Sequence, residues 1–312
     1  VTWFWAAAVE PIPASGWRIV AMDTAISPFT ATSPSGTGTT TTTAATSTTT
    51  LAPWKGFGGD GKGSLIMQGD AGELQAWFMN GSANASLQNL SPAAVTDQAL
   101  KAVGAADFNN DGWPDLLLQN SVTGALTLWY MNGTLRASST TFSPSAPPDA
   151  NWKVAGVGDF NADRKPDILF QHKVNGLLLV WFLDGAVVQS TSYTVPSGPT
   201  DPRYKVVGVT DMNGDRKPDL VFQHAETGVL CVWFMNGTTW TSASLLTPNA
   251  PRDTRWKVVG LADMNGDQKP DVVLQHSATG QVCFWYMDGV TWFWAAAVEP
   301  IPASGWRVAL AQ

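Results

Sequence analysis

The sequence predicts an all-β fold, a β-propeller with five recognisable four-stranded blades of about 52 residues and terminal segments that complete or extend the ring. Three observations point there. A Trp-aromatic pair returns every 52 residues, at Trp77-Phe78, Trp129-Tyr130, Trp181-Phe182, Trp233-Phe234 and Trp285-Tyr286. Four of these pairs are preceded by an acidic loop, Asp-x-Asn-x-Asp-x-x-Pro-Asp, beginning at Asp107, Asp159, Asp211 and Asp263. Between these landmarks run short apolar stretches separated by turn residues. A unit of that size cannot bury its own apolar faces, so neighbouring units must stack on one another.

In chain order, residues 1–18 come first, and they are identical to residues 290–307. This terminal strand segment has two readings. Either one terminus completes a blade begun by the other, or a period of 289 residues (Val1 to Val290) continues in a longer polymer or exchanges strands between copies. The apolar run Val1 to Val9 has no basic leading region and no cleavage site, so it is not read as a signal peptide. Residues 19–53 follow as a linker or stalk. Within them the nearly all-Thr tract from Thr37 to Thr50 has no apolar period with which to pack. The propeller is expected over residues 54–305, with residues 306–312 starting a further repeat.

The unit from Trp256 to Gly289 displays the blade most plainly. Trp256 to Ala262 and Val272 to His276 are β-rich runs on either side of an acidic loop, and Gln281 to Met287 is a third. Asp288-Gly289 suits a two-residue hairpin, and Val290 to Val298 is the fourth run. Successive strand side chains point to opposite faces, so Trp285 is expected to pack on one neighbouring blade and Tyr286 on the other. The first unit, from Trp54, is worn: its loop runs Gly56-Phe57-Gly58-Gly59-Asp60-Gly61-Lys62-Gly63-Ser64, which predicts a blade without an ion.

Other recurrent residues are read as architecture. Gln68, Gln119, Gln171, Gln223 and Gln275 return in every blade. His172, His224 and His276 lie on separate blades without zinc-ligand spacing, which suits hydrogen-bonded strand ends. Cys231 and Cys283 occupy equivalent positions in consecutive units and read as small buried hydrophobes. The non-repeating Trp3, Trp5, Trp113, Trp240, Trp292 and Trp294 are candidates for exposed platforms. Asn80, Asn132 and Asn236 begin Asn-Gly-Ser/Thr, which suits a hairpin turn and also fits the N-glycosylation pattern, as do Asn84 and Asn89.

The chemistry lies in the acidic loops, which hold 12 of the 25 acidic residues and so form pockets that call for cations. Oxygens at loop positions 1, 3, 5 and 9, with a main-chain carbonyl at 7, can surround one hard cation such as calcium. An alternative is a metal-free loop in which the Asp and Asn side chains satisfy the loop's own amides.

Through Val-Gly-x-x-Asp-x-Asn-x-Asp-x-x-Pro-Asp and Trp-Phe-Met-Asn-Gly, the chain resembles FG-GAP or VCBS propeller repeats. Such repeats are seen in integrin α-chain heads, bacterial surface proteins and a Psathyrella lectin. The resemblance implies a Ca2+-stabilised propeller. By position it implies as ligands Asp107, Asn109, Asp111, Trp113 and Asp115; Asp159, Asn161, Asp163, Lys165 and Asp167; Asp211, Asn213, Asp215, Lys217 and Asp219; and Asp263, Asn265, Asp267, Lys269 and Asp271. Position 7, which is Trp113 or a Lys, would act through its carbonyl. The family usually has Gly at position 6; here only Gly112 conforms, with Arg164, Arg216 and Gln268 in the other loops.

A formal net charge of -7 offers no basic stripe for nucleic acid, and no run of 18 apolar residues spans a bilayer. Nucleophile elbows and Walker loops are missing from the sequence. The expected function is therefore a non-enzymatic extracellular or cell-surface module for adhesion or filament assembly. Its partners would be copies of itself, by head-to-tail terminal strand exchange, or cell-surface proteins and glycans. The rival reading is a lectin with sugar sites between blades, and a weaker third is a secreted hydrolase domain.

Overall fold

The computed structural model describes residues 55–60 and 63–311. The readings made for residues 1–18, for Trp3 and Trp5 and for the Thr tract lie outside them. β1 (Ser64–Gly69), β2 (Glu73–Asn80) and β3 (Ala83–Ala94) come from the worn first unit. The second blade is β4 (Leu100–Ala106), β5 (Asp115–Asn120), β6 (Leu126–Asn132) and β7 (Leu135–Thr141). The third is β8 (Trp152–Gly158), β9 (Asp167–His172), β10 (Leu178–Asp184) and β11 (Val187–Tyr193). The fourth is β12 (Tyr204–Thr210), β13 (Asp219–His224), β14 (Leu230–Asn236) and β15 (Thr239–Leu245). β16 (Trp256–Ala262), β17 (Asp271–His276), β18 (Val282–Asp288) and β19 (Thr291–Ala297) make the fifth.

The last strand, β20 (Trp306–Ala311), pairs antiparallel with β1 and so completes the first blade from the far end of the chain. Residues 306–311, expected to open a further repeat, thus close the ring. β4, β8, β12, β16 and β20 are the inner strands, and each touches the next, with β20 touching β4.

Burial follows each strand's place in its blade. The second strand is sandwiched between both neighbouring blades, and all six residues of β13 and β17 are buried. Hence those strands read as continuous apolar runs, whereas outer strands such as β7, Leu-Arg-Ala-Ser-Ser-Thr-Thr, are mostly exposed and polar. The cores lie between blades: Leu65, Met67 and Trp77 of the first blade share one with Val273, Phe284 and Tyr286 of the fifth. Of the five recurrent tryptophans, Trp77, Trp129, Trp181 and Trp285 are buried and Trp233 is half-buried.

The recurrent glutamines join blade to blade. Gln119 Nε2 donates to the Trp152 carbonyl (3.0 Å), while its Oε1 accepts from the Val154 amide (3.0 Å). Gln68 does the same for Leu100 and Ala102, Gln171 for Tyr204 and Val206, Gln223 for Trp256 and Val258, and Gln275 for Trp306 and Val308. An inner strand has no sheet neighbour on its axial side. One amide side chain supplies both the donor and the acceptor that this open edge needs.

Near the axis the inner strands approach so closely that side chains must be given up. A Cβ on Gly156 would collide with Val209 of the next blade, and one on Gly208 with Leu261. At the outer edge, parallel bridges link each blade to the next hairpin, at Ser91 and Leu135, Ser143 and Val187, Val195 and Thr239, and Thr247 and Thr291. A fifth, between Glu299 and Ala83, closes that circuit too.

Candidate functional site

The four acidic turns connect the inner strand of a blade to its second strand, at one end of the ring. In the second blade, the Asp111 amide donates to Asp107 Oδ1 and to Asn109 Oδ1, both at 3.0 Å. The Gly112 amide donates to Asp107 Oδ2 (2.7 Å), and the Trp113 amide to Asp111 Oδ1 (2.8 Å). Asn109 Nδ2 also donates to Asp111 Oδ2 at 3.0 Å. The oxygens at positions 1, 3 and 5 are thus drawn together around a short stretch of main chain. Asp159, Asn161 and Asp163 repeat this pattern, as do Asp263, Asn265 and Asp267. In the fourth blade Asp211 and Asn213 share the Asp215 amide, and Asp215 accepts from Lys217.

Position 9 is also held by the main chain of its own blade. Asp115 is fully buried, its Oδ2 accepting from the Phe108 amide (2.9 Å) and its Oδ1 from the Met131 amide on β6 (3.0 Å). Asp167, Asp219 and Asp271 make the same pair of bonds, to Phe160 and Leu183, Met212 and Met235, and Met264 and Met287. This aspartate pins the turn to the hairpin of its own blade. Burial pushes the Asp115 carboxyl up to about 7, against the lowering effect of its two amide partners, and the charges of Asp111 and Asp107 add to the rise. Burial likewise raises Asp167, Asp219 and Asp271 to about 6. In the first blade the buried Ser64 stands in this place, and Met79 donates to the Gly63 carbonyl instead.

The backbone accounts for the family's glycine at position 6, and three of these loops hold a larger residue in the same left-handed conformation. Gly112, Arg164, Arg216 and Gln268 all adopt positive φ, at 87°, 67°, 66° and 66°. Position 4 is left-handed as well, in Asn110, Ala162, Gly214 and Gly266, which the sequence reading missed. The Asn-Gly pairs in two of these loops were its only signal. Lysines at position 7 face the hairpin: Lys165 pairs with Asp184 at 2.9 Å and Lys269 with Asp288 at 2.7 Å. Lys217 is exposed, and Trp113 lies beneath Lys55, whose Nζ is 4.6 Å from the ring centre and donates to the Asp111 carbonyl (3.2 Å).

The described residues contain no group of three or more acidic, histidine or cysteine side chains set to hold a metal. Positions 1, 3 and 5 are brought together as two carboxylates and an amide oxygen, and position 9 is engaged by main chain. The donor chemistry still suits a hard cation: oxygens alone, with spare lone pairs on each carboxylate.

The FG-GAP-like repeat family matches residues 107–170, 159–222 and 211–274, which together span more than half of the chain. The chain belongs to the FG-GAP-like repeat family. A relative of this FG-GAP-like chain is human integrin alpha-7, 30% identical over 146 residues, which is 41% of this chain and 12% of the integrin. The FG-GAP-like chain therefore spans about an eighth of that relative's length. Among solved structures, the Dos1 propeller superposes with a TM-score of 0.39 at 9% identity, covering 75% of this chain and 68% of that one. The major Malassezia sympodialis allergen Mala s 1 superposes at 0.36 and 12% identity, covering 75% and 74%. Both superpositions are loose, and the propeller assignment stands on the sheets and the repeats.

The remaining FG-GAP-like repeat residues have structural partners. His224 holds Thr227 and faces Asp201 at 3.3 Å, and His276 does the same with Thr279 and Asp253. Cys231 and Cys283 are free thiols, pushed up by burial to about 11 and about 12. Of the platform candidates, Trp294 and Trp240 are exposed, and Trp240 meets Trp233 edge-on.

Proposed function

We propose that this chain is a non-enzymatic binding module, displayed outside the cell or on its surface, whose propeller is stabilised by calcium and presents its loops to a partner. The observation that carries this reading is the fourfold return of one Asp, Asn, Asp turn on the same end of the ring. The family membership and the similarity to integrin alpha-7 support it. Asp107, Asn109 and Asp111, and their equivalents in the next three blades, would hold the ion. Calcium, when bound, supplies positive charge that offsets the repulsion among the turn's carboxylates, including the buried Asp115. Partners in this reading are surface proteins, glycans or a second copy of the chain, since residues 1–18 carry the same sequence as the segment that forms β19 and opens β20.

The test uses the full chain, stripped of metal and then titrated with calcium. A rise in melting temperature at millimolar calcium, and calcium-dependent attachment of cells to a surface coated with the protein, are the expected results. An unchanged melting temperature together with attachment indifferent to chelator would overturn the reading.

A second reading, carbohydrate binding, has its own observation. A cavity of about 370 Å3 beside the worn loop is lined by Phe57, Phe78, Asp60, Asn80, Ser86 and Gln88. An aromatic wall with amides, a hydroxyl and a carboxylate is the chemistry that sugars meet. Saturable binding on a glycan array that is lost in Gln88→Ala would favour it; an array without hits would remove it.

A further inference from the structure

The fourth and fifth acidic turns are near duplicates. Asp211 to Asp219 reads Asp-Met-Asn-Gly-Asp-Arg-Lys-Pro-Asp, and Asp263 to Asp271 differs only in having Gln268 where the fourth has Arg216. Both are left-handed at position 6, with φ of 66°. In both, the amides of positions 3, 4 and 5 converge on the first aspartate. The last aspartate is buried in each and accepts from the main chain of its own blade. The oxygens available to a cation are the same, so what separates the two turns is the charge around them.

That charge is set by the last residue of each blade's third strand. At the end of β18, Asp288 lies 2.7 Å from the Lys269 ammonium, and at the end of β10, Asp184 lies 2.9 Å from Lys165. The hydrogen bond to Asp184 raises the Lys165 ammonium above its usual range, and the Asp163 carboxylate of the turn adds to the rise; Asp288 and Asp267 act alike on Lys269. A position-7 ammonium is thus within electrostatic reach of position 5. At the end of β14 stands Asn236, which has no charge, and neither Arg216 nor Lys217 is in an ion pair among the described residues. Three aspartates against Arg216 and Lys217 leave a formal charge of -1 at the fourth turn, whereas four against Lys269 alone leave -3 at the fifth. Four against Arg164 and Lys165 leave -2 at the third, and three against Lys55, which donates to the Asp111 carbonyl, leave -2 at the second.

We propose that the four turns differ in calcium affinity, the fifth binding tightest and the fourth weakest, and that Asp184, Asn236 and Asp288 set this order. The inference rests on the reading of these turns as calcium sites. A carboxylate held on the position-7 lysine offsets a positive charge that repels the incoming cation. An asparagine leaves that charge standing. Asp184 and Asp288 are positioning residues, which act on the ion through Lys165 and Lys269. Two charges against a divalent ion at high dielectric amount to about tenfold or more in affinity.

Titration calorimetry with calcium chloride on the metal-free full chain tests it. Asp263→Ala should remove the tightest binding event, and Asp211→Ala the weakest. Asn236→Asp installs the residue that the third and fifth blades carry at this position, so the fold should be kept, as circular dichroism would verify. It should tighten the weakest event by about threefold to tenfold, and Asp288→Asn should weaken the tightest by a similar factor. Both ratios to the parent should shrink at about 1 M sodium chloride, where exposed charges are screened beyond ~3 Å, whereas a change in turn geometry would persist. Four equal events, unchanged affinity in Asn236→Asp, or ratios indifferent to salt would each overturn the inference and leave the calcium sites standing. Absence of any calcium binding would remove the sites themselves, and the order with them.

Discussion

Gln275 Oε1 accepts the amide hydrogen of Val308 at 2.9 Å, and its Nε2 donates to Trp306, so a side chain of the fifth blade seats the strand that completes the first. The bond spans 31 and 33 residues, much as its equivalents do in the other blades; what joins the two ends of the described ring is the pairing of β20 with β1. The closing strand is therefore held on both edges, by β1 on one and by Gln275 on the other.

Gln275→Ala should destabilise the ring by about 1–3 kcal/mol, because it leaves a buried amide and a carbonyl without partners. Removing residues 306–312 should do more, since β1 becomes an open edge. Denaturant unfolding of the two variants beside the parent checks the order; a truncated chain as stable as the parent would show that β20 does not close the ring in solution.

At the axis, Gly208→Ala should be destabilising even though alanine is the smallest change available, because the new Cβ collides with Leu261. Combining it with Leu261→Ala should cost less than the sum of the two single changes. A double-mutant cycle by thermal unfolding measures this coupling, and additive effects would mean the strands are not in contact there.

Asp111→Ala should weaken calcium binding more than Asp60→Ala. Asp111 stands with Asp107 and Asn109, whereas the loop of Asp60 has Gly56 and Gly58 in those places. Calcium titration of each variant decides it, and equal losses would contradict the assignment of the turns.

Acid should loosen the far end of the ring. The hydrogen bonds from Arg203 and Arg255 hold the Asp201 and Asp253 carboxyls well below the usual carboxylate range, with His224 and His276 adding to the effect. A carboxylate whose folded pKa is depressed stabilises the fold above its unfolded value, about 3.9, and that contribution fades as pH falls through the folded value. The parent should therefore exceed an Asp201→Asn, Asp253→Asn double variant in melting temperature at pH 7, with the gap narrowing below about pH 4. A gap that stays constant with pH would rule out these pairs as its source.

Much of this protein was legible in one dimension. Stacked blades force a period, and a fixed position in each blade forces a fixed residue type, so the Trp-aromatic pairs, the glutamines and the Asp, Asn, Asp turns all announced themselves by spacing. What the sequence could not assign was the work each recurrent residue does. Position 9 of the turn reads as one more ligand, and the fold adds that Asp115 accepts from the amides of Phe108 and Met131, the second of which only folding brings to it. Gln119 recurs like a core residue, but its partners belong to the next blade. Periodicity records contacts that every blade shares, because each blade repeats the same local geometry. Contacts that close the ring, or that occur at one interface alone, join residues with no common spacing, so they come into view only when the chain is folded around its axis.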